Sequence, residues 1–167
     1  MPVNRCQLLK QNLELRARVL AGIRTYFSGQ GYLEVETPAR IPAPAPEAHI
    51  DAQSSGSWFL QTSPELCMKR LLAAGYPRLY QICRCFRRAE RGRRHLPEFT
   101  LLEWYFTPGS YLEMMDQTEA LVRAAAAGGG HGDCLSFRGR AIGLTGAWPR
   151  LTVAQAFDRF GSLSMDA

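Results

Sequence analysis

Lysine is nearly missing from this sequence: Lys10 and Lys69 are the only two, and arginine supplies the other basic side chains. Apolar runs are short, and none approaches the roughly 20 residues that a membrane span requires. The first 20 residues also lack the continuous apolar core of a signal peptide. These absences exclude a membrane partner and predict a cytoplasmic protein.

Cysteines are also few, and their spacing does not indicate a metal site. The chain has 5 cysteines and no C-x-x-C pair, which disfavours zinc, and no metal-ligating residues are assigned. Cys83 and Cys85 are two positions apart on a predicted strand, so their side chains lie on the same face. Small apolar core residues are the expected role for both thiols.

The remaining composition suits one globular domain or a piece of a larger one. Apolar residues make up 46% of the 167 residues, enough to form a core. The formal net charge of +5 favours an anionic partner or substrate, such as ATP, RNA or an acidic protein.

Two β-branched and aromatic runs, Leu79–Phe86 and Phe99–Phe106, predict a pair of strands joined by a long basic loop. The loop carries only one acidic residue, Glu90. Its basic residues are Arg87, Arg88, Arg91, Arg93, Arg94 and His95. Guanidinium groups form planar, permanently charged donors suited to phosphate oxygens, which favours a polyphosphate site. A solvated basic loop, or one that lies on nucleic acid, is the alternative.

The second strand has two different faces, because successive side chains of a strand alternate. One face combines an aromatic ring, a carboxylate and a phenol, and consists of Phe99, Leu101, Glu103 and Tyr105. The other face is expected to join the core and consists of Thr100, Leu102, Trp104 and Phe106. The first face is predicted to bind a ligand, and Glu103 to be either paired or functional.

Periodicity and capping signals place the helices. A helix is predicted from about Leu8 to Ser28, with an apolar stripe of Leu9, Leu13, Leu20, Ile23 and Phe27. A second helix is expected to start at Thr62-Ser63-Pro64-Glu65, with Ser63 as its cap, and to end near Gly75. Two capping boxes, Ser110–Glu113 and Thr152–Gln155, each open a further helix. The first of these helices is expected to run to about Ala127 and to turn Leu112, Met115, Leu121 and Val122 to the core.

Short extended segments fill the space between the first two helices. Tyr32–Glu36 is predicted as a strand that Pro38 ends, and the proline-rich residues 38–46 as a polyproline-like connector outside any sheet. His49–Ala52 and Trp58–Gln61 are expected strands around a turn at residues 54–57. Helices and paired strands together predict an α+β fold, with helices flanking an antiparallel sheet.

Three segments resemble the motifs of one enzyme family. Phe86-Arg87-Arg88, His95 and Pro97-Glu98-Phe99-Thr100 look like motif 2 of class II aminoacyl-tRNA synthetases of the lysyl type. Residues 62–65 with 68–72 resemble the amino-acid-binding segment of that family, and residues 31–38 its motif 1. The resemblance covers about residues 16–125 and is closest to the stand-alone paralogues that attach lysine to elongation factor P.

The resemblance implies a role for each matching residue. Arg87 would clamp the α-phosphate and the substrate carboxylate during catalysis, Arg88 and His95 would help to bind ATP, and Phe99 would stack on adenine. The amino acid would be bound by Ser63, Pro64, Glu65, Glu103 and Tyr105. Mg²⁺ is implied as well, with its ligands expected beyond residue 167. The helix and strand of motif 1 imply a homodimer.

Some positions depart from the family pattern. Ala89 stands where the family commonly has a glutamate that reads the adenine amino group, and Leu96 stands where it has asparagine. Motif 3 and an anticodon-binding domain are absent from these 167 residues, so the chain is expected to be the N-terminal portion of a class II catalytic core. A fragment of a longer protein and a truncated paralogue are the two explanations.

Three functions are therefore open. The first is ATP-dependent activation of lysine, with β-lysine favoured, and its transfer to a lysine of elongation factor P. The second is the catalytic part of a lysine–tRNA ligase, for which tRNA would be the partner. The third is a non-catalytic paralogue that only binds an amino acid or nucleotide.

Overall fold

The computed structural model describes residue 7 and residues 9–161, and it confirms the α+β architecture. The start of the first predicted helix, Leu8, lies outside the described residues. The helices are α1 (Lys10–Gly29), α2 (Glu65–Ala73), α3 (Tyr111–Gly128) and α4 (Val153–Gly161). The strands are β1 (Leu33–Glu34), β2 (Arg40–Ile41), β3 (Ser54–Ser55), β4 (Trp58–Leu60), β5 (Arg78–Phe86), β6 (Glu98–Phe106), β7 (Cys134–Phe137) and β8 (Arg140–Gly143).

The main sheet is built on the predicted strand pair. β5 and β6 run antiparallel over nine residues each, from the pair Arg78 and Phe106 to the pair Phe86 and Glu98. Both strands begin one residue before their predicted starts. β1 joins the outer edge of β5 in parallel orientation, so the strand order is β1-β5-β6. The predicted antiparallel sheet therefore carries one parallel edge strand.

An aromatic cluster joins α1 to one face of this sheet. Phe27 is fully buried, and its ring stacks on Tyr80 with the centroids 4.4 Å apart. Tyr32 meets Phe27 edge-on at 5.1 Å, and Trp104 lies 5.7 Å away. Leu102 and Phe106 pack against the same cluster. The even-numbered face of β6 is thus core, as the alternation predicts.

Helix α3 lies against the second half of α1 at close backbone distance. A Cβ atom built on Gly22 would lie 3.0 Å from the Cα of Gly128, and the reverse distance is the same. Glycine permits this approach because it has no side chain.

The first turns of α1 are not part of this packing. Leu9 is 42% exposed and Leu13 is 58% exposed, so these two residues of the predicted apolar stripe lie outside the core. The sheet and α3 reach α1 only farther along, where α3 ends against Leu15 and Val19. Leu112, at the first turn of α3, is also exposed against prediction, whereas Leu121 is buried.

The segment between α1 and α2 forms a small second sheet in the order β2-β4-β3. β2 lies inside the predicted connector and pairs with β4, so the exclusion of residues 38–46 from sheet structure is wrong. Arg40 and Ile41 carry ordinary backbone donors, and the prolines lie outside this two-residue strand. Residues 49–52 form no strand; Ala52 makes a single bridge to Arg87.

Ion pairs join the last described segment to α3. Glu119 is only 8% exposed, and its carboxylate accepts from Arg123 at 2.5 Å and from Arg150 at 2.9 Å. Both predicted capping boxes are formed, at Ser110 with Glu113 and at Thr152 with Gln155. Within the described ranges, no helix combines the length and apolarity that crossing a bilayer requires.

Candidate functional site

The face of the sheet opposite α1 carries the candidate site. Directly paired residues of an antiparallel ladder place their side chains on the same face. Gln81 pairs with Glu103, Cys83 with Leu101, and Cys85 with Phe99. The residues predicted to bind a ligand therefore share a face with the odd-numbered residues of β5.

Glu103 organises the part of this face nearest α2. Its Oε2 atom accepts a 2.6 Å hydrogen bond from the Ser63 hydroxyl, and its Oε1 atom accepts from the Tyr105 hydroxyl. Burial raises the pKa of Tyr105, and the hydrogen bond to Glu103 raises it further. The phenol is therefore a stable donor at neutral pH, and hydrogen bonds orient both carboxylate oxygens of Glu103.

Ser63 links this carboxylate to the start of α2. Its Oγ atom also accepts a 3.1 Å hydrogen bond from the Glu65 backbone N–H. The N-cap position is Pro64, which supplies no side-chain hydrogen bond, so the prediction of Ser63 as the cap residue is wrong by one position. The helix itself begins at Glu65, one residue later than the predicted helical position of Pro64, which is buried just before it. The hydrogen bond from the Glu65 N–H holds Ser63 in the orientation that reaches Glu103.

The side chain of Glu65 already binds an ammonium group. Lys69 Nζ lies 2.5 Å from Glu65 Oε1 and 6.0 Å from the centroid of the Tyr105 ring. The hydrogen bond and charge of Glu65 raise the pKa of Lys69. Ser63, Glu65, Glu103 and Tyr105, here called the acidic patch, thus combine two carboxylates and an aromatic ring, groups that stabilise an amine.

Arg87 stands between the acidic patch and the basic loop. Its Nε atom donates to the carbonyl of Thr62, next to Ser63, at 3.4 Å. Its guanidinium carbon lies 5.1 Å from the centroid of the Phe99 ring, and one terminal nitrogen lies 3.8 Å from Glu90. These contacts hold the guanidinium at the junction of the two regions.

A cavity of about 270 Å³ opens on the loop side of Arg87. Its walls are formed by Arg87, Glu90, Arg94, His95, Leu96 and Phe99. We call it the loop cavity. An aromatic ring together with cationic side chains is a combination suited to a stacked base with attached phosphates.

The structure therefore brings Arg87, His95 and Phe99 together, but it places Arg88 elsewhere. The backbone N–H of Arg88 donates to Asp51 at 2.8 Å. Its side chain lines a different depression, beside residues 44–52. Arg87 lies in a β-bridge with Ala52, and successive side chains of extended backbone point to opposite sides, so Arg87 and Arg88 diverge.

Sequence reasoning missed several members of the site. Arg94 was treated only as a loop charge, and Lys69 was not considered as a partner of Glu65. Glu90 was not assigned to the site, because adjacent positions on an extended chain point to opposite sides. The i to i+4 spacing of Glu65 and Lys69 on a helix was the available signal. Glu90 and Arg94 had no comparable signal, since their positions depend on the path of the loop.

Cys83 and Cys85 lie on the site face rather than against α1. Cys85 is fully buried, as expected for a core residue, but Cys83 is partly exposed, and their sulfur atoms are 3.8 Å apart. Their shared hydrogen bond is the main cause that lowers the pKa of Cys83 and raises that of Cys85. The core prediction therefore holds for only one of the two thiols.

Across the described part of the chain, no three His, Cys, Asp or Glu side chains gather closely enough to hold a metal ion. These residues accordingly offer no complete ligand set for Mg²⁺.

Comparison with known proteins agrees with the motifs. The family model for class II tRNA synthetases (D, K and N) matches residues 3–167. The chain belongs to this family. The relatives below carry lysine-specific names, which confirms the resemblance to the lysyl type.

Two kinds of named relative are similar to this class II chain. The lysine–tRNA ligase of Ralstonia nicotianae is 35% identical over 164 residues, which cover 95% of this chain and 32% of the relative. The elongation factor P–(R)-β-lysine ligase of Erwinia tasmaniensis is 42% identical over 122 residues, 67% of this chain and 38% of the relative. The corresponding ligase of Sodalis glossinidius is 43% identical over 122 residues, with the same shares. The chain therefore spans about a third of the length of these relatives.

Proposed function

We propose that this class II protein activates a lysine isomer, with β-lysine favoured, and transfers it to a lysine of elongation factor P. The position of Arg87 carries the proposal. Its guanidinium is held by Thr62 on the side of the acidic patch and by Phe99 and Glu90 in the loop cavity. An amine bound to the patch and a nucleotide bound in the cavity would meet at this cation.

The proposed reaction has two steps. A carboxylate oxygen of the amino acid attacks the α-phosphorus of ATP, the bond to the β-phosphate oxygen breaks, and pyrophosphate leaves. An amine then attacks the carbonyl carbon of the mixed anhydride, AMP leaves with the bonding electron pair, and the amine loses a proton. In both steps Arg87 would stabilise negative charge that grows at the phosphoryl oxygens.

Mg²⁺, when bound, would supply further charge neutralisation at the phosphates, with ligands expected beyond residue 167. The described residues have their own tasks. Glu65 and Glu103 would bind the amino groups of the substrate, Tyr105 would orient Glu103, and His95 and Arg94 would face the distal phosphates. Phe99 would provide the stacking surface.

The choice of acceptor rests on the relatives. The two elongation factor P ligases are 42% and 43% identical to this chain over 122 residues. A lysine–tRNA ligase matches more of the chain, 95%, at the lower identity of 35%. The greater identity favours elongation factor P, whereas the longer match makes tRNA charging the second candidate.

The proposal also covers the domain content, the oligomeric state and the location of the protein. Residues 1–167 are taken as part of a class II catalytic domain, without an anticodon-binding domain among them. A cytoplasmic homodimer is the proposed working form. Size-exclusion chromatography with light scattering would measure the oligomeric state directly.

The test is exchange of labelled pyrophosphate into ATP by the purified full-length protein, with α-lysine and (R)-β-lysine supplied in parallel. We expect exchange that depends on the amino acid and is faster with (R)-β-lysine. Labelled amino acid should then appear on elongation factor P and not on tRNA. Labelled tRNA would favour the second candidate, and folded protein without exchange would favour a binding role.

Loss of the Tyr105 hydroxyl tests the acidic patch. Tyr105→Phe removes the donor that orients Glu103, so we expect the KM for the amino acid to rise several-fold, as for about 1 kcal/mol of lost hydrogen bonding. The KM for ATP should change little, because the loop cavity does not include Tyr105. Tyr111→Phe is the matched control, since Tyr111 is 76% exposed. Equal KM values for the two variants would contradict this assignment.

A further inference from the structure

Two thiols lie side by side on the site face of β5. The sulfur atoms of Cys83 and Cys85 are 3.8 Å apart, and neither thiol takes part in the proposed activation of the amino acid. Cys85 is fully buried, whereas Cys83 is partly exposed and lines an open cavity of about 590 Å³ beside β1 and β5. Of the other described cysteines, Cys67 lies in α2 and Cys134 in β7. Cys83 is therefore the member of the pair that a small molecule in this cavity can reach.

Two buried glutamine amides border the same cavity. Gln61 and Gln81 are each 1% exposed, and both line the cavity with Cys83. The amide oxygen of Gln81 accepts from Thr37 at 3.0 Å, but the amide nitrogen has no hydrogen-bond partner of good geometry among the described residues. Both amides nevertheless lie close enough to Cys83 to favour a negative charge on its sulfur. Because a buried donor without an acceptor is costly, a thiolate at this position would satisfy a need of the fold.

The surroundings of Cys83 favour its ionised form and lower its pKa. The hydrogen bond shared with Cys85 is the largest cause, and the amides of Gln81 and Gln61 act in the same direction. Burial and the charge of Glu103 oppose them. The thiolate is the nucleophilic form of cysteine, so Cys83 is the thiol of the pair that reacts first.

We propose that Cys83 and Cys85 are a site of oxidation, at which a hydroperoxide such as hydrogen peroxide converts the two thiols into a disulfide. The Cys83 thiolate attacks one peroxide oxygen, the O–O bond breaks, and the leaving oxygen takes up a proton to form water. Cys83 is then a sulfenic acid. The sulfur of Cys85 attacks the sulfur of Cys83, the S–O bond breaks, and the hydroxyl group leaves as water with the proton of Cys85. In total the thiols lose two electrons and two protons, and hydrogen peroxide is reduced to two water molecules.

Cys85 suits the second step although its own pKa is raised. The hydrogen bond to Cys83 is the main cause, and burial and the negative charge of Cys83 add to it. That charge is gone once Cys83 has become a sulfenic acid, so Cys85 then loses its proton more readily. Its sulfur already lies 3.8 Å from the atom that it attacks, which leaves only a short approach.

The disulfide would change the shape of β5. Two steps along a strand separate Cα atoms by about 6.7 Å, at the upper end of the roughly 4.4–6.8 Å that a disulfide spans, so the strand must contract between the two cysteines. Cys85 pairs with Phe99, and Arg87 follows two residues later. The contraction would therefore displace the ring and the guanidinium of the proposed nucleotide site. This consequence rests on the proposed function, whereas formation of the disulfide does not.

The test is oxidation of the reduced full-length protein by hydrogen peroxide, followed by blocking of free thiols and digestion with trypsin. Trypsin cleaves after Arg84, between the two cysteines, so a disulfide would keep the peptides 79–84 and 85–87 joined. We expect mass spectrometry to detect the joined pair and dithiothreitol to separate it. Cys134→Ser is the control, because Cys134 is exposed and lies in β7, and it should not change the yield. Absence of the joined peptides, or a bond from either peptide to another cysteine instead, would overturn the proposal.

Single substitutions separate the roles of the two thiols. In Cys85→Ala the reaction should stop at the sulfenic acid of Cys83, which dimedone labels. In Cys83→Ser little label should appear at Cys85, because that thiol is buried and its pKa is raised. Stronger labelling of Cys85 than of Cys83 would contradict the proposed order of attack.

The amide of Gln81 is a positioning group that can be tested by the pH dependence of thiol alkylation. Gln81→Leu removes the buried donor, so iodoacetamide should alkylate Cys83 several-fold more slowly at neutral pH, with the midpoint of the rate profile shifted to higher pH. Thr37→Val is the matched control, since it removes the hydrogen bond to the amide oxygen and keeps the amide nitrogen. An unshifted midpoint in Gln81→Leu would overturn the role of this amide.

Exchange of pyrophosphate into ATP tests the consequence for catalysis. We expect oxidation to lower amino-acid-dependent exchange by about 10²-fold, the scale of a displacement of about 1 Å at a catalytic site, and dithiothreitol to restore it. Exchange by Cys85→Ala should survive the same treatment. A disulfide that forms without loss of exchange would refute the coupling to the nucleotide site. Reduced protein without exchange would refute the proposed function and the coupling together, while the joined peptides would still decide whether the disulfide forms.

Discussion

Replacing Arg87 with alanine is expected to reduce amino-acid-dependent exchange of pyrophosphate into ATP by about 10²–10³-fold, the usual cost of losing one group that stabilises transition-state charge. The guanidinium touches both halves of the site, through Thr62 and through Phe99. No other described arginine makes contacts to both regions. The rate should therefore fall more than the affinity for either substrate.

Arg87→Lys separates charge from shape. Lysine keeps the positive charge but has no planar fork, so it cannot reproduce simultaneous contacts to a carbonyl, a ring and a phosphate. We expect this variant to recover only a small part of the lost activity. Full recovery would show that a point charge suffices and that the contacts of the fork are dispensable.

Arg93→Ala is the matched control for the basic loop. Arg93 is exposed and does not line the loop cavity, yet its removal lowers the net charge by the same amount. Its exchange rate should stay close to that of the native protein. A comparable loss in both variants would mean that the loop acts through its overall charge.

Phe27→Ala is expected to destabilise the fold by about 3–5 kcal/mol, the range for truncating a large buried aromatic residue. Phe27 is 0% exposed and stacks on Tyr80 of β5, 4.4 Å between centroids. Its removal would leave a cavity among Tyr32, Tyr80 and Trp104, which join α1 to the sheet. The native packing cannot close this gap without moving the helix.

Thermal and chemical unfolding followed by circular dichroism would measure this loss. A drop in Tm of about 10 °C is expected for a domain of this size. Phe137→Ala makes the same change at a side chain that is 59% exposed, and should cost little. Similar unfolding free energies for the two variants would place the core elsewhere.

The site hairpin shows how far local patterns reach. β5 and β6 were predicted within one residue, and the prediction that the even-numbered face of β6 joins the core is correct, because alternation is a property of every strand. The capping boxes at Ser110 and Thr152 were equally predictable, since each depends on residues three positions apart.

Predictions failed where distant parts of the chain decide. The apolar stripe of α1 was read correctly as a pattern, but α3 and the sheet cover only part of it, and Leu9 and Leu13 stay exposed. β2 was missed because its own two residues carry no strand signal, and it forms only by pairing with β4. Neither outcome could be obtained from residue spacing within one segment.

The sequence by itself determined the two long strands, the capped starts of α3 and α4, the basic loop and the set of residue types at the site. Only the tertiary structure decided that Arg87 meets Thr62, that Arg88 turns away, and that Glu90 enters the loop cavity. Local structure follows from the hydrophobic repeat pattern and the conformational propensities of residues that are close in the sequence. Contacts between separated residues depend instead on strand register, loop path and burial, which exist only once the chain has folded.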